Sequence, residues 1–568
     1  MQILKNTAAE LVSAAANELF APAVLSAGEV YAMLEYPPDS AMGDLALPCF
    51  KLSKSLRRSP MEIASRLAEK LSHPDFASVE AVGGYLNLKK DAAAFASRVV
   101  NTVLEKGDTY GAPDHGSGKT VVLDYSSPNV AKPFHIGHLG TTVIGHSLKL
   151  LHEFAGYKCI GINHLGDWGT QFGKLIVAYK KWGNREEIEK GEIDALVALY
   201  VRFHAEAEKD ASLNDEARAT FALLEQHDEE CMALWRWFIE ISLREYNKTY
   251  RMLGISFDSY NGESFYTDKM PAEIEKIRAA GILEIDDGAS VVNLEKWNMP
   301  PCLILKRDGS TLYPTRDIAA AVYRKNTYDF EKCIYVTSAG QCLHFAQWFK
   351  VLEMMGYDWY EGLVHVPYGT VSIGGEKLAT RTGNVILLKD LFAQAIEKVK
   401  GIMKEKNTTA GDDVAEKVGV GAIIFYYLSN NRMRDINFVM EDALSFDGNT
   451  GPYAQYTYAR TCSLLEKAGD AGKKAEPLAV TAEEAELSRV LALFPETVEN
   501  AIAEYEPSVI TRYILDLCAA FNRFYHECQI LSAQDAAVKE NRLAFTRATK
   551  AVLGRALSLI CMPTPEKI

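Results

Sequence analysis

The spacing of apolar residues divides the 568-residue chain into three regions. In the middle region, short apolar runs typical of strands alternate with segments whose apolar residues are three and four apart, as in amphipathic helices. This alternation predicts a Rossmann-like α/β domain with a parallel sheet. A helical run at about 175–250 predicts a helical insertion in that domain. Strands are predicted at 121–125, 158–163, 301–305, 332–336 and 363–366.

The two flanking regions have patterns of their own. The first combines an amphipathic helical start, a turn-rich segment near 37–44 and a short strand near 82–88, entered through glycines, which predicts an α+β domain. The last has no strand pattern and predicts an all-α helix bundle. Its helices are expected at 415–430, 453–468, 482–504, 509–528 and 536–559. The predicted domains are therefore 1–112, 113–404 and 405–568.

The composition is that of an ordinary globular protein, with 48% hydrophobic and 24% charged residues. We expect no membrane contact, because no run of 18 apolar residues is present. The first residues are typical of a helix start and not of a signal peptide. The scattered cysteines are expected to be the reduced thiols of a cytoplasmic protein. Ten cysteines without a Cys-x-x-Cys pair argue against a zinc ribbon or a disulfide framework. The formal net charge of −14 argues against a nucleic-acid partner, although a local basic face would suffice for one.

Two groups of basic residues are candidates for such a face. The first recurs at three- and four-residue intervals and is expected on one helix face: Lys51, Lys54, Arg57 and Arg58. The second lies on one side of the last predicted helix: Lys539, Arg542, Arg547 and Lys550. Contact with a phosphate backbone and simple solvation remain alternatives for both groups.

The segment His135-Ile-Gly-His138 lies between a predicted strand and a predicted helix. At such a turn, backbone N–H groups and the helix dipole favour a phosphate, and Gly137 allows a close approach of the backbone. Two packed histidines and a pair of metal ligands are the alternatives. The strand before, the helix after and Lys132 just upstream favour a nucleotide site over both.

Six motifs then occur in order along the chain. They are Ser126-Ser-Pro-Asn-Val-Ala-Lys-Pro-Phe-His-Ile-Gly-His138, Asn163-His-Leu-Gly-Asp-Trp-Gly-Thr-Gln-Phe-Gly173, Tyr313-Pro-Thr-Arg-Asp317-Ile-Ala, Gln341-Cys-Leu-His344-Phe, Lys377-Leu-Ala-Thr-Arg-Thr-Gly-Asn-Val385 and Ser445-Phe-Asp-Gly-Asn-Thr-Gly-Pro-Tyr453. Together they resemble the class I aminoacyl-tRNA synthetases, and within them the arginyl-tRNA synthetase family. The resemblance covers essentially the whole chain, including the N-terminal domain through segments 37–54 and 84–87. It implies a tRNA-contacting N-terminal domain, a catalytic domain and a C-terminal anticodon-binding domain.

The resemblance implies that the enzyme activates L-arginine with ATP, taken up with Mg²⁺, and transfers it to the terminal adenosine of a tRNA. ATP would be bound by His135, Gly137, His138, Lys377 and Arg381. Arginine would be bound by Asp124, Asn129, Tyr313, Asp317 and Gln341, with His164 and Gln171 as weaker candidates. A planar guanidinium calls for such carboxylate and hydroxyl acceptors. No tightly bound metal and no partner subunit are expected.

The sequence departs from the class I pattern at two places. In the Lys377 loop, Ala379 and Thr380 replace the usual serine and second lysine, and Thr382 follows Arg381 where a basic residue is frequent. By the resemblance, Lys132 supplies the missing cation, so the expected catalytic residues are Lys132, His135, His138 and Lys377. The second departure is Gly140, where many relatives have arginine.

Two alternatives to a ligase follow from these observations. The altered loop would suit a non-catalytic tRNA-binding paralogue, whereas the histidine segment alone would suit a small-molecule nucleotidyltransferase. The joint presence of Lys132, Lys377, Tyr313 and Asp317 argues against the first, and the additional domains argue against the second. For RNA contact the candidates are Tyr453, Tyr456 and Tyr458, of which at least one must face the core.

Overall fold

A computed structural model of the chain describes residues 2–22, 24–37, 39, 42–373, 376–377, 386–405, 411–469 and 471–568. The predicted ATP contact Arg381 and the altered loop positions 379, 380 and 382 lie outside the described residues. Only the backbone of Lys377 is described. Within the described ranges, every helix is too short or too polar to cross a lipid bilayer.

The N-terminal domain is an α+β unit, as predicted. Its helices are α1 Gln2–Leu19, α2 Ala27–Met33, α3 Ser53–Leu56, α4 Pro60–Lys70 and α5 Ala92–Lys106, and its strands are β1 Leu45–Pro48, β2 Phe76–Val82 and β3 Tyr85–Lys90. The strands form an antiparallel sheet in the order β1-β3-β2. Gly83 and Gly84, with φ of 58° and 88°, make the tight turn between β2 and β3. The glycines therefore join two strands, where one strand was expected.

The first basic group does not share a helix face, so that prediction is wrong. Lys51 ends a short 3₁₀ helix and Lys54 lies in α3. Arg57 follows with φ of 52°, a left-handed conformation that ends the helix. The four residues therefore follow a turning backbone instead of one continuous helix.

The catalytic domain contains the predicted parallel sheet. The strands of this domain are β4 Thr120–Asp124, β5 Lys158–Ile162, β6 Leu283–Asp286, β7 Ala289–Val292, β8 Cys302–Leu305, β9 Lys332–Ser338, β10 Leu363–Tyr368, β11 Val371–Ile373 and β12 Glu376–Lys377. Four of these pair in parallel in the order β10-β9-β4-β5. The strand β8 was expected in this sheet but lies in the antiparallel sheet β6-β7-β8. A two-residue turn with left-handed Asp287 and Gly288 joins β6 to β7, and such turns connect antiparallel strands.

Helices cover the sheet and build the insertion. They are α6 Leu139–Phe154, α7 Thr170–Trp182, α8 Arg185–Ala207, α9 Ser212–Glu225, α10 Glu229–Leu253, α11 Met270–Ala279, α12 Tyr313–Tyr328, α13 Cys342–Met354 and α14 Leu388–Glu405. The insertion comprises α7 to α10 and has an apolar core of its own, which includes Phe172, Phe203 and Phe238. It confirms the predicted helical run and extends it to both sides.

The C-terminal part is the predicted helix bundle with one exception. Its elements are α15 Asp412–Leu428, β13 Ile436–Phe438, α16 Met440–Ala443, α17 Gly451–Ala468, α18 Ala482–Ala503, α19 Ser508–Glu527 and α20 Ala536–Leu559. The expectation of an entirely helical region is wrong at β13, which pairs in parallel with β11. Three residues are too few for a strand pattern in the sequence, and this strand exists only through its long-range partner.

A buried ion pair joins the central strand of the parallel sheet to α12. Nη2 of Arg324 lies 2.7 Å from Oδ2 of Asp124, and the two side chains are 1% and 11% exposed. A hydroxyl and an imidazole complete the group: Ser127 donates to Oδ1 of Asp124 at 2.9 Å, and Nδ1 of His164 lies 3.3 Å from Arg324. The pair thus fixes α12 against the carboxyl end of β4.

Replacing Arg324→Met should lower the free energy of unfolding of the catalytic domain by roughly 3–5 kcal/mol, because Asp124 would stay buried without a counter-ion. Urea denaturation followed by tryptophan fluorescence measures it, since all seven tryptophans lie between residues 168 and 359. The control is Arg307→Met, whose pair with Asp287 is 68% and 80% exposed and should cost about 0–1 kcal/mol. Equal effects of both changes would contradict a structural role of the buried pair.

Candidate active site

The histidine segment forms a 3₁₀ turn, Ile136–His138, that leads directly into α6. Nδ1 of His135 accepts a hydrogen bond from the N–H of Gly137 at 3.1 Å. Nδ1 of His138 accepts one from the N–H of His135 at 3.2 Å. An imidazole whose Nδ1 accepts must carry its proton on Nε2. Each ring therefore presents an Nε2–H donor.

Both imidazoles are neutral at physiological pH. Burial, assisted by the charge of Lys132, lowers the pKa of His135 to about 4. Burial, with further contributions from His135 and Lys132, lowers the pKa of His138 to about 3. The rings lie with their centroids 4.0 Å apart. A phosphate at this turn would thus receive hydrogen bonds from two neutral donors, and its countercharge must come from elsewhere.

Lys132 is a candidate for that countercharge. Its side chain is exposed, and its charge acts on both histidine rings, which means that the ammonium lies near them. Asn129, three residues before Lys132 on the same segment, is also exposed. A Cβ on Gly166 would come within 2.1 Å of Oδ1 of Asn129, so that only glycine allows the asparagine its position.

The segment that follows the Lys377 loop is bonded to the histidine turn. The N–H of Ile136 donates to the carbonyl of Ile386 at 3.2 Å, and the N–H of Leu388 donates to the carbonyl of Phe134 at 2.9 Å. On the other side of the loop, the backbone of Lys377 pairs with β11. The described segment that follows the Lys377 motif is thus held against the histidine turn by main-chain contacts.

The departure at Gly140 has a steric reason. A Cβ at this position would lie 2.2 Å from the hydroxyl oxygen of Tyr427 and 3.2 Å from the ring of Tyr368. The side chain of Tyr427, from α15, occupies the space that a larger residue at 140 would need. A side chain at this position would therefore require Tyr427 to move.

The predicted arginine contacts gather at the carboxyl edge of the sheet. Tyr313 and Asp317 lie in the first turns of α12, four residues apart and on one face, as expected. Tyr313 is 65% exposed. Oδ2 of Asp317 lies 2.6 Å from Nε2 of His344, and exposed Gln341 ends the 3₁₀ turn that follows β9. Asp124 is at the same edge, but both of its oxygens already have the partners described above.

Two carboxylates that the sequence analysis missed complete this group. Glu263 lies 3.0 Å from Nη1 of Arg316, and both side chains are largely buried. Burial raises the pKa of Glu263 to about 7 against the opposing effect of Arg316, and the charges of Asp167 and Asp317 raise it further. Asp167 accepts hydrogen bonds from the N–H and hydroxyl of Ser264 at 2.8 and 2.6 Å. Glu263 belongs to an isolated 3₁₀ turn, and no periodic pattern in the sequence marks it.

This group of side chains, where the sequence predicts the arginine contacts, therefore has more acidic than basic members. Its four carboxylates, on Asp124, Asp167, Glu263 and Asp317, are opposed by two guanidinium groups, on Arg316 and Arg324. The raised pKa of Glu263 reflects its burial first, and the charges of Asp167 and Asp317 add to it. A buried surplus of carboxylates is complementary to a cationic ligand. The weaker candidate His164 stacks on Tyr266 with centroids 5.5 Å apart, and Gln171 reaches only the carbonyl of Gly166 at 3.5 Å.

Of the three tyrosines considered for RNA contact, one has an exposed ring that could meet a base. Tyr456 is 43% exposed, whereas Tyr458 is buried and the hydroxyl of Tyr453 accepts a hydrogen bond from Asn522. The guanidinium of Arg460 lies 5.0 Å from the ring of Tyr456 and 4.7 Å from that of Tyr525. An exposed aromatic and cationic surface of this kind suits unstacked bases. In the second basic group, Arg542 instead pairs with Glu484 inside the bundle.

Three family descriptions match consecutive parts of the chain. They are the arginyl-tRNA synthetase N-terminal domain over residues 6–89, the class I (R) tRNA synthetase catalytic domain over 99–440 and the DALR anticodon-binding domain over 454–568. The chain belongs to the arginyl-tRNA synthetase family. As an arginyl-tRNA synthetase it is an ATP-dependent arginine–tRNA ligase, with the anticodon-binding domain as a site for tRNA.

Similar proteins support the same assignment over nearly the full length. An arginine–tRNA ligase of Alkaliphilus metalliredigens is 50% identical over 545 residues, covering 95% of this chain and 96% of the relative. That of Clostridium perfringens is 50% identical over 541 residues, with coverages of 94% and 96%. The solved arginyl-tRNA synthetase of Thermus thermophilus, 24% identical, has the same fold, with a TM-score of 0.81 and complete coverage of both chains.

The hydrogen bonds at the histidine turn predict the tautomer of both rings. In ¹⁵N spectra of the histidine-labelled synthetase at pH 6, His135 and His138 should be neutral with the proton on Nε2, because their pKa values lie below this pH. A histidine in a short unstructured peptide in the same buffer, with a pKa of about 6.5, should be mostly charged. Signals are assigned by the variants His135→Gln and His138→Gln. An imidazolium at either position, at pH 6, would contradict the assignment.

Proposed function

We propose that adenylate formation takes place where the histidine turn meets the acidic cluster, at the carboxyl end of β4. An oxygen of the arginine carboxylate attacks the α-phosphorus of ATP, the bond to the β-phosphate bridging oxygen breaks, and pyrophosphate leaves. A hydroxyl of the terminal adenosine of tRNA then attacks the carbonyl carbon, and AMP leaves. One observation carries the proposal. Neutral hydrogen-bond donors, the two imidazoles, and a surplus of carboxylates both lie at the carboxyl end of β4.

The histidine side would bind the nucleotide. The Nε2–H groups of His135 and His138 and the close approach at Gly137 would serve the phosphates, with Mg²⁺ entering on ATP. Because both rings are neutral, the developing charge has to be balanced by Lys132, Lys377 and Arg381. The anchoring of the loop's exit on the histidine turn supports this grouping.

The acidic side would bind the amino acid. Asp317 and Glu263 would take the guanidinium, Tyr313 and Gln341 would add polar contacts, and Asn129 would hold the amino or carboxylate end. Asp124 would act mainly through its charge, because Ser127 and Arg324 already occupy its oxygens. A lysine substrate would leave part of this acceptor set unpaired, which suits selection without an editing step.

The outer domains would bind the tRNA. Tyr456, Arg460 and Tyr525 would stack on anticodon bases. On the N-terminal domain, the ring of Phe50 contacts that of Tyr85 at 4.7 Å beside Lys51 and Lys54, and both rings are partly exposed. This aromatic and basic surface would meet the body of the tRNA. We expect the enzyme to act as a monomer in the cytoplasm.

Replacing Lys132→Ala should slow arginine- and tRNA-dependent ATP–pyrophosphate exchange by roughly 2.7–4 kcal/mol of barrier, because neutral histidines cannot replace the lost charge. The rate is measured with saturating ATP, arginine and tRNA. The control is Lys209→Ala on the helical insertion, where the side chain is 70% exposed and should be dispensable. Near-normal exchange by the Lys132 variant would show that the transition-state charge is balanced without this residue.

Arginine binding should release a proton near neutral pH. Glu263, with a pKa of about 7, is partly protonated in the free enzyme, and a bound guanidinium would favour its charged form. Calorimetry of arginine binding with tRNA present, in buffers of different ionisation enthalpy, should give release of roughly half a proton at pH 7 and less at pH 8.5. Glu263→Gln should abolish the release, and the surface variant Glu275→Gln should keep it. Unchanged release in Glu263→Gln would exclude this carboxyl as the source.

A further inference from the structure

The segment that presents Asn129 and Lys132 has an unusual backbone. Ser126, Ser127 and Ala131 have φ of 71°, 48° and 58°, which places three non-glycine residues in the left-handed region. Such residues keep this conformation only when the surrounding structure holds them. The elements that hold this segment therefore decide where its functional side chains lie.

One face of α10, in the helical insertion, contacts the segment through hydroxyl groups. Oγ of Ser242 accepts a hydrogen bond from the N–H of left-handed Ala131 at 3.0 Å. One turn further, the hydroxyl of Tyr246 lies 2.8 Å from the carbonyl oxygen of Asn129 and 2.7 Å from that of Lys132. This single donor thus bridges the two residues expected at the substrates.

Another turn further, Tyr250 reaches the beginning of the segment. Its hydroxyl lies 2.7 Å from Oγ of Ser126 and accepts a hydrogen bond from Nδ2 of Asn163 at 3.0 Å. The side-chain oxygen of Asn163 in turn accepts from the N–H of Ser127 at 3.1 Å. All three left-handed residues are thereby tied, directly or through one residue, to a row of hydroxyls spaced four residues apart on α10, Ser242, Tyr246 and Tyr250.

The same face also holds the histidine turn. The ring of Phe134 packs between those of Tyr246 and Tyr250, with centroids 5.4 and 5.5 Å away. On its other side Phe134 stacks on His138 at 5.2 Å and 25°. The hydroxyl row and its rings are fully buried, so their contacts are not shared with solvent.

We propose that the hydroxyl row of Ser242, Tyr246 and Tyr250 is a set of positioning residues that makes the helical insertion part of the catalytic machinery. The row holds the left-handed segment so that Asn129, Lys132 and the histidine turn face arginine and ATP. It touches neither substrate. This role rests on the proposed assignment of Lys132 and the histidines to ATP, and it assigns to the insertion a function in adenylate formation.

The test is Tyr246→Phe, which keeps the ring and removes the hydroxyl that bridges Asn129 and Lys132. The matched control is Tyr513→Phe in the helix bundle, where an equally buried tyrosine hydroxyl donates to the carbonyl of Val490 at 3.1 Å. Each variant is assayed as full-length enzyme. The rate of ATP–pyrophosphate exchange is expressed per folded molecule, and the affinity for tRNA is measured separately. A misplaced reacting group costs up to about a hundredfold in rate.

We expect Tyr246→Phe to lower kcat of exchange by about ten- to a hundredfold with unchanged tRNA affinity, and Tyr513→Phe to leave kcat unchanged. Equal kcat values in the two variants would overturn the proposal, because a hydroxyl that only adds stability would affect both alike. If Tyr246→Phe does not fold, Ser242→Ala replaces it, with Ser488→Ala in the bundle as its control. Lys132→Ala, measured alongside, tests the assignment of that lysine separately.

Discussion

The buried ion pair between Asp124 and Arg324 is the interaction on which the catalytic centre depends. Asp124 ends the central strand β4, and Arg324 belongs to α12, so that the pair sets the helix that carries Tyr313 and Asp317 against the strand end. Such a pair is costly to bury, and removing one partner leaves the other charge buried without a counter-ion. Here it occupies one carboxylate of the acidic cluster internally, whereas Glu263 pairs with Arg316 and Asp317 with His344.

The site is divided electrostatically into two halves that begin at the same strand end. On the nucleotide side, burial keeps His135 and His138 neutral, so that they donate hydrogen bonds without adding charge. On the side of the acidic cluster, burial raises the pKa of Glu263 to about 7, and the charges of Asp167 and Asp317 add to this effect. In the proposed assignment, a polyanionic substrate and a cationic one would bind close together without either half neutralising the other. The helical insertion, through α10, fixes the segment that runs between them.

Much of the fold followed from hydrophobic spacing because the elements concerned are long or strongly periodic. The helices α17 to α20 and the four parallel strands were predicted close to their observed bounds. The errors have a common cause. Strand β8 was assigned to the wrong sheet, β13 was missed, and the first basic group was placed on one helix, because pairing partners and left-handed turns at Arg57 and Asp287 are not visible in periodicity.

The sequence by itself determined the family and the order of the domains, since ordered motifs such as His135-Ile-Gly-His138 and Tyr313–Asp317 carry that information locally. Only the tertiary structure decided the protonation of the histidines, the internal pairing of Asp124, the close approach of Tyr427 to Gly140 and the position of Glu263 beside Arg316. Each of these depends on burial or on groups that lie far apart along the chain, and neither burial nor distance is written in the spacing of residues.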